Sequence, residues 1–179
     1  MTRNIELKVF VNSFAEILPL LKNMGAKFEE TLRQVDTYYG SANGRLKIRE
    51  INGRNFELIF YERPNSRTSR ISDYTRIDVA PEQLHALKGV LKKTFGERVA
   101  VRKERKLWMH GHTRIHLDKV ESLGTFIELE TVVKEERLKE ARMEHNKIVE
   151  SLGLSRIEKL GVSYSDMLLR KKQRRWATE

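Results

Sequence analysis

The chain has no cysteine. Disulfides and thiolate metal sites are therefore excluded, and nothing points to an oxidising compartment. No apolar run approaches the roughly 20 residues that a membrane-spanning helix requires. Met1-Thr2-Arg3-Asn4 leads straight into an alternating strand pattern, with no signal peptide. The expected location is cytoplasmic. There is no P-loop, no CxxC pair and no nucleophile–base motif. What is present is a chain of 179 residues, 39% hydrophobic and 34% charged. That suits one compact domain with enough apolar material for a core and charge left for the surface or the interior.

The formal net charge is +10, with a pI near 9.9, which favours anionic partners. Part of the excess lies in Arg170-Lys171-Lys172-Gln173-Arg174-Arg175. The remainder is spread through strand patterns and mixed with carboxylates. A DNA-binding protein usually concentrates its cations on one helix or face, so nucleic acid is not the expected partner. The expected organisation is a single domain over residues 1–169, followed by a mobile basic tail over 170–179.

Ile5, Leu7, Val9 and Val11 alternate with Glu6 and Lys8, the pattern of a half-buried strand. A helix is expected next, capped by Ser13 with Glu16 completing a capping box. Its apolar stripe is Ile17, Leu20, Leu21 and Met24, and Gly25 suits its stop. Pro19 falls inside it, against helix propensity. Leu46 and Ile48 then alternate with Arg45, Lys47 and Arg49, and Asn52-Gly53 marks a two-residue hairpin turn. The return strand sets Phe56, Leu58 and Phe60 against Glu57, Ile59, Tyr61 and Arg63, and a further strand covers about 74–79. Pro81 opens a second helix with Leu84, Leu87, Val90 and Leu91 as its stripe. Strands follow at about 99–108, at 113–120 and after Gly124. A long helix over about 134–152 stops at Gly153, and a short one covers 163–169. The order strand, helix, three strands, helix, three strands, helix predicts an α+β fold, an antiparallel β-barrel with helices packed outside.

Alternation alone leaves the charged face free to meet solvent, as in most antiparallel sheets. The helices, however, need the apolar face. If the sheet is long enough to close, its charged face points into the lumen, where charges need partners. The cations and carboxylates could pair with each other, or be satisfied by a polyanion with metal ions. Arg and Lys neutralise phosphate oxygens. Carboxylates meet phosphate only through a hard divalent cation.

Several segments, in order, resemble the CYTH superfamily, the triphosphate tunnel proteins. Ile5-Glu6-Leu7-Lys8 looks like its ExExK signature. Asp36-Thr37-Tyr38-Tyr39 is similar to its strand after the first helix. Leu46 to Glu50 is similar to an LRxRE-like strand, and Arg102-Lys103-Glu104-Arg105 to a paired-cation strand. Leu117 to Val120, Leu123-Gly124 and Phe126 to Glu130 resemble its LDxVxGLGxFxEIE run. Ser163-Tyr164 with Leu168-Leu169 resembles its ending. The resemblance covers almost the whole chain, and its length is most like the class IV adenylate cyclase branch, described as dimeric.

The resemblance implies a metal-dependent enzyme that acts on a triphosphate such as ATP, tripolyphosphate or thiamine triphosphate, with Mg²⁺ or Mn²⁺ as cofactor. The reaction is either cyclisation of ATP to cyclic AMP and pyrophosphate or triphosphate hydrolysis. It places Glu6, Glu128 and Glu130 on metal, and Lys8, Arg49, Lys103 and Arg105 on phosphate, with Lys103, Arg105 and Asp118 as catalytic candidates. His116 shares the face of Asp118, but a lone histidine is more often structural. Two departures stand out. Asn4 occupies the first Glu position of ExExK, and Tyr61 the lysine position of an LTYKGP-like strand, with Arg63 two residues on as its replacement on phosphate. They keep open a second function, a non-catalytic nucleotide- or polyphosphate-binding module.

Overall fold

The computed structural model describes residues 2–62, 70–133 and 137–176. Its elements are β1 (Thr2–Val11), α1 (Ile17–Asn23), β2 (Lys27–Tyr39), β3 (Arg45–Ile51), β4 (Asn55–Glu62), β5 (Arg70–Val79) and α2 (Pro81–Phe95). There follow β6 (Glu97–His110), β7 (Thr113–Val120), β8 (Gly124–Val133), α3 (Leu138–Ser151), a 3₁₀ turn (Leu154–Arg156) and α4 (Tyr164–Trp176).

The strands pair in the ring β1-β5-β4-β3-β2-β6-β7-β8, all antiparallel, and β8 returns to β1. The expected barrel is present. β1 is its seam. It runs against β8 from Arg3 to Val11 but meets β5 only over Thr2 to Glu6.

Most of the apolar alternation of the strands lies on the outside of the ring, under the helices, while Val99, Val101, Val120 and Phe126 pack with Tyr38 and Tyr164 on the lumen face at the α4 end. Leu7, Val9, Ile115, Leu117, Ile127 and Leu129 pack against Ile17 and Leu21 of α1, Ile148 and Val149 of α3, and Leu152 just after it. Across the barrel, Ile48, Leu46 and Leu58 meet Leu84, Leu87 and Leu91 of α2. Burying each such side chain contributes about 1.5–3 kcal/mol. Truncating the fully buried Leu21 to Ala is therefore expected to cost about 2–5 kcal/mol. α3 is also pinned by polar contacts. Glu144 accepts from the His112 backbone N–H and the Thr113 hydroxyl, and buried His145 meets Thr131 at 2.9 Å.

The structure corrects several local expectations. The Ser13–Glu16 capping box does not form. Ser13 Oγ instead accepts from the Ala15 N–H, and α1 begins at Ile17 with no side-chain cap. Pro19 then falls in the first turn, where its missing N–H has no helical acceptor to lose. Four strands, not three, separate α1 from α2. The first half of β2 is solvent-exposed on both faces, so it carries no alternation to read. The β3–β4 loop has three residues, because Ile51 pairs with Asn55 and Asn52 turns to pair with Arg33 of β2 through its backbone N–H and its side-chain oxygen. Finally, α4 runs on from 169 to Trp176, so much of the basic segment expected as a mobile tail is helical. Cations near a helix C-terminus are favourable there.

Candidate functional site

With the apolar side chains outside, period-two alternation sends every second residue of each strand into the lumen. The result is a cavity of about 310 Å³, at the small end of the range for small-molecule sites. Its described lining carries Lys8, Lys47, Arg49, Arg76, Lys103, Arg105 and Arg114 against Glu6, Asp36, Glu57, Glu128 and Glu130. Cations exceed carboxylates in this lining.

One wall is formed by β2, β3 and β6 around Asp36. This carboxylate is buried. It accepts both Nε and Nη2 of Arg49 at 2.7 and 2.8 Å, Lys47 Nζ at 2.9 Å, and has Lys103 Nζ at 3.5 Å. Burial pushes its pKa up, yet Arg49, Lys47 and Lys103 together hold it well below the carboxylate range. One anion does not neutralise three cations. Burial and the neighbouring Arg49 pull Lys47 down to about 7, and burial and Arg105 pull Lys103 down to about 8. These lysines are short of negative charge.

The other wall is formed by β6, β7, β8 and β1. Here register does the positioning. Arg105 stands opposite Asp118, His116 opposite Glu128, Arg114 opposite Glu130, Lys8 opposite Glu128 and Glu6 opposite Glu130. Arg105 donates to both oxygens of Asp118 at 2.7 and 2.6 Å and to Glu128 at 2.7 Å. Lys8 lies 3.1 Å from Glu128, and Arg114 3.0 Å from Glu130. Two carboxylates directly across a strand pair, Glu6 and Glu130, are unfavourable unless positive charge lies between or beside them.

The floor is supplied from α4. Tyr164 donates to Asp118 at 2.9 Å, and Lys8 Nζ sits 3.8 Å from the centre of its ring. Arg45 to Asp166 at 2.7 Å ties α4 to β3. The opposite mouth carries the aliphatic side chains Leu32, Ile51 and Leu107. Register makes them diagonal neighbours around Leu32.

The structure thus brings Glu6, Lys8, Arg49, Lys103, Arg105, Glu128 and Glu130 into one lumen. Asp118 is buried behind Arg105 and does not line the cavity. Both of its oxygens are taken by Arg105, and Tyr164 donates to it as well, so it positions Arg105. Arg63 lies outside the described residues. Sequence reasoning passed over Asp36, Lys47 and Tyr164. It also set His116 aside as structural, whereas His116, Glu128 and Glu130 present ligand atoms within 4.8 Å of one another, the one such trio found among the described residues. Glu6 is not in that trio, although it borders it. The signal for Lys47 was available, since it shares the face of Arg45 and Arg49.

The residues fit a divalent cation on one specific observation. Buried His116 Nδ1 has no hydrogen-bond partner, and it faces Glu128 and Glu130 at 4.0 and 3.8 Å. Those distances are too long for hydrogen bonds.

The architecture is a closed antiparallel barrel with helices outside and a lumen with one cation-rich wall and one wall of paired cations and carboxylates. The CYTH domain family model matches residues 2–164, and the chain belongs to that family. A putative adenylate cyclase of Methanocaldococcus jannaschii is 27% identical over 173 residues, 91% of this chain and 97% of that protein. The solved structure of a Pyrococcus horikoshii protein is 28% identical, covers 94% of this chain and 99% of its own, and superposes with a TM-score of 0.70. A Hippeastrum protein, described as a putative adenylyl cyclase with dominant triphosphatase activity, shares the fold at 16% identity, 96% coverage of both chains and TM-score 0.66. Among the described residues, no helix is long and apolar enough to cross a membrane.

Proposed function

We propose that this protein is a metal-dependent enzyme acting on the triphosphate of a nucleotide. The observation that carries the reading is the imbalance at Asp36, where one carboxylate is shared by Lys47, Arg49 and Lys103 on a buried wall. A polyphosphate laid along that wall supplies the missing negative charge, and Arg49, oriented by Asp36, adds a fixed positive charge beside it. Lys8, Arg105 and Arg114 reach the chain from the opposite side. Glu128, Glu130 and Glu6 would hold Mg²⁺ or Mn²⁺, which would supply charge neutralisation and Lewis acidity at the triphosphate. The chain's own contribution is positioning and fixed positive charge in a site that limits water access. Leu32, Ile51 and Leu107 at the mouth offer an apolar surface for a nucleobase, and this favours a nucleotide over bare tripolyphosphate.

Two outcomes of attack share this site. Water at the terminal phosphorus releases orthophosphate. The ribose 3′-hydroxyl at the α-phosphorus gives cyclic AMP and pyrophosphate. The relative in M. jannaschii supports cyclisation. Product analysis after incubation with ATP, tripolyphosphate and thiamine triphosphate in Mg²⁺ or Mn²⁺ decides between them. Tight binding of all three without any product would establish the second reading, a binding module. That reading draws on Asn4 and Tyr61, which both line the lumen where the family pattern has charge.

A further inference from the structure

We propose that His116 Nδ1 is a metal ligand, so that the metal position in this lumen is a mixed nitrogen–oxygen site that prefers Mn²⁺ to Mg²⁺. The inference rests on the reading of Glu128 and Glu130 as metal ligands and goes beyond it in adding a nitrogen donor to the carboxylates and drawing the consequence.

His116 is held rigidly. It sits in the middle of β7 between the fully buried Ile115 and Leu117, and its own side chain is 5% exposed. Its Nδ1 is sealed from solvent yet has no hydrogen-bond partner. Leaving a buried polar nitrogen unpaired costs roughly 1–3 kcal/mol, and native structures rarely tolerate it without a reason. Glu130 Oε1 and Glu128 Oε2 lie 3.8 and 4.0 Å from it. Two ligands of one ion, each about 2.0–2.2 Å from it, lie roughly 3–3.6 Å apart. A contraction of about half an ångström, within reach of glutamate torsions, completes the set.

The neighbouring charges say when the ion arrives. Glu128, Glu130 and Asp118 are already matched by Arg105, Arg114 and Lys8. A bare divalent ion would add two uncompensated positive charges to a buried, balanced cluster. Together with a triphosphate, the same ion enters at net negative cost in charge. Ion and polyanion therefore bind with positive coupling. Imidazole is a good ligand for borderline transition ions, whereas Mg²⁺ keeps to oxygen and water.

The test is pulsed electron paramagnetic resonance of Mn²⁺ bound to the full chain, with and without tripolyphosphate. The wild-type protein is expected to show ¹⁴N modulation from a directly bound imidazole. Its Mn²⁺ affinity should rise at least tenfold when tripolyphosphate is present. In His116→Gln, confirmed as folded by circular dichroism and thermal melting, the ¹⁴N modulation disappears and the Mn²⁺-over-Mg²⁺ preference in calorimetry falls about tenfold. Mn²⁺ bound without ¹⁴N modulation in the wild type overturns the His116 assignment and leaves the carboxylate metal site standing. Modulation that persists in His116→Gln assigns the nitrogen to another residue and also overturns it. Absence of any Mn²⁺ binding with tripolyphosphate present overturns both this inference and the metal-dependent reading. Because the wild-type spectrum is decisive alone, a variant that fails to fold leaves the test intact.

Discussion

The two walls of the lumen use similar residue types to opposite ends. Around Asp36 one carboxylate serves three cations, and the lysines are pulled toward neutrality. Around Glu128 the carboxylates and cations are matched. Arg105 is raised well above its usual range despite burial, because Asp118 and Glu128 face it. A balanced wall is a structural fixture that can orient a ligand. An unbalanced wall is incomplete until a ligand arrives. The difference teaches that counting charges in a cavity says less than counting how each is shared.

The largest expected effect comes from breaking the unbalanced wall outright. Asp36→Asn leaves Lys47, Arg49 and Lys103 buried without their anion. Removing one partner of a buried ion cluster typically costs about 3–5 kcal/mol. Thermal melts should show that loss in the empty protein, and tripolyphosphate should raise Tm more in the variant than in the wild type. A variant as stable as the wild type would mean that the three cations do not depend on Asp36.

Next in size is the pair that sets wall against wall. Lys103→Ala is expected to weaken tripolyphosphate binding by about 2–5 kcal/mol, with or without metal. Glu128→Gln should abolish metal-dependent turnover while holding metal-free tripolyphosphate as well as or better than the wild type, since a negative charge beside the polyanion is gone. Calorimetry in chelator reads the difference in sign. Equal losses in both variants would remove Glu128 from the metal site.

A smaller, pH-dependent effect follows from Lys47 and Lys103, which titrate near 7 and 8 in the folded protein against an ordinary 10.5. Between those values the unfolded chain binds more protons than the folded one. Their contribution therefore makes the empty protein more stable as pH rises from about 7 toward 10. A bound triphosphate re-protonates them, so binding at pH 8.5 should take up protons, visible as a dependence of the calorimetric enthalpy on the buffer's ionisation enthalpy. No proton uptake would place the polyanion away from these lysines.

The smallest expected effect lies outside the lumen and serves as a contrast to both walls. Burial lowers the His145 pKa to about 4, so its contribution to stability is lost as pH falls from 6.5 toward 4. His145→Asn should flatten that part of the stability profile without altering tripolyphosphate affinity at pH 7.5. A change in affinity would show that α3 reaches the site.

Much of the fold was legible because its signals are local. Strict alternation in β1, β3, β7 and β8 told which residues share a face, and the helix stripes told which face they cover. β2 escaped because its exposed half has no sidedness. The site was legible as a set of charged faces but not as pairings. Nothing in Asp36 itself announces that Lys47, Arg49 and Lys103 converge on it, since Lys103 is 67 positions away and meets it only once β2 lies beside β6. The setting of His116 was hidden for the same reason. An unpaired Nδ1 is a property of its surroundings, and these come from two glutamates on the next strand.

The seam at β1 has a consequence for how the chain reaches this state. The long partner of β1, β8, lies more than a hundred positions later in the chain. Pairing of such distant segments slows folding, and until it happens the sheet is an open curved ribbon. On that ribbon the future lumen is a hydrated surface rich in lysine, arginine and glutamate, which resists association of half-formed chains. Closure then dehydrates those same groups, and the last turn of assembly is the step most opposed by electrostatics. A polyphosphate that prefers the closed ring shifts this final equilibrium toward the native state. Refolding yield is therefore expected to depend on the ligand even though most of the hydrophobic core lies on the other side of the sheet.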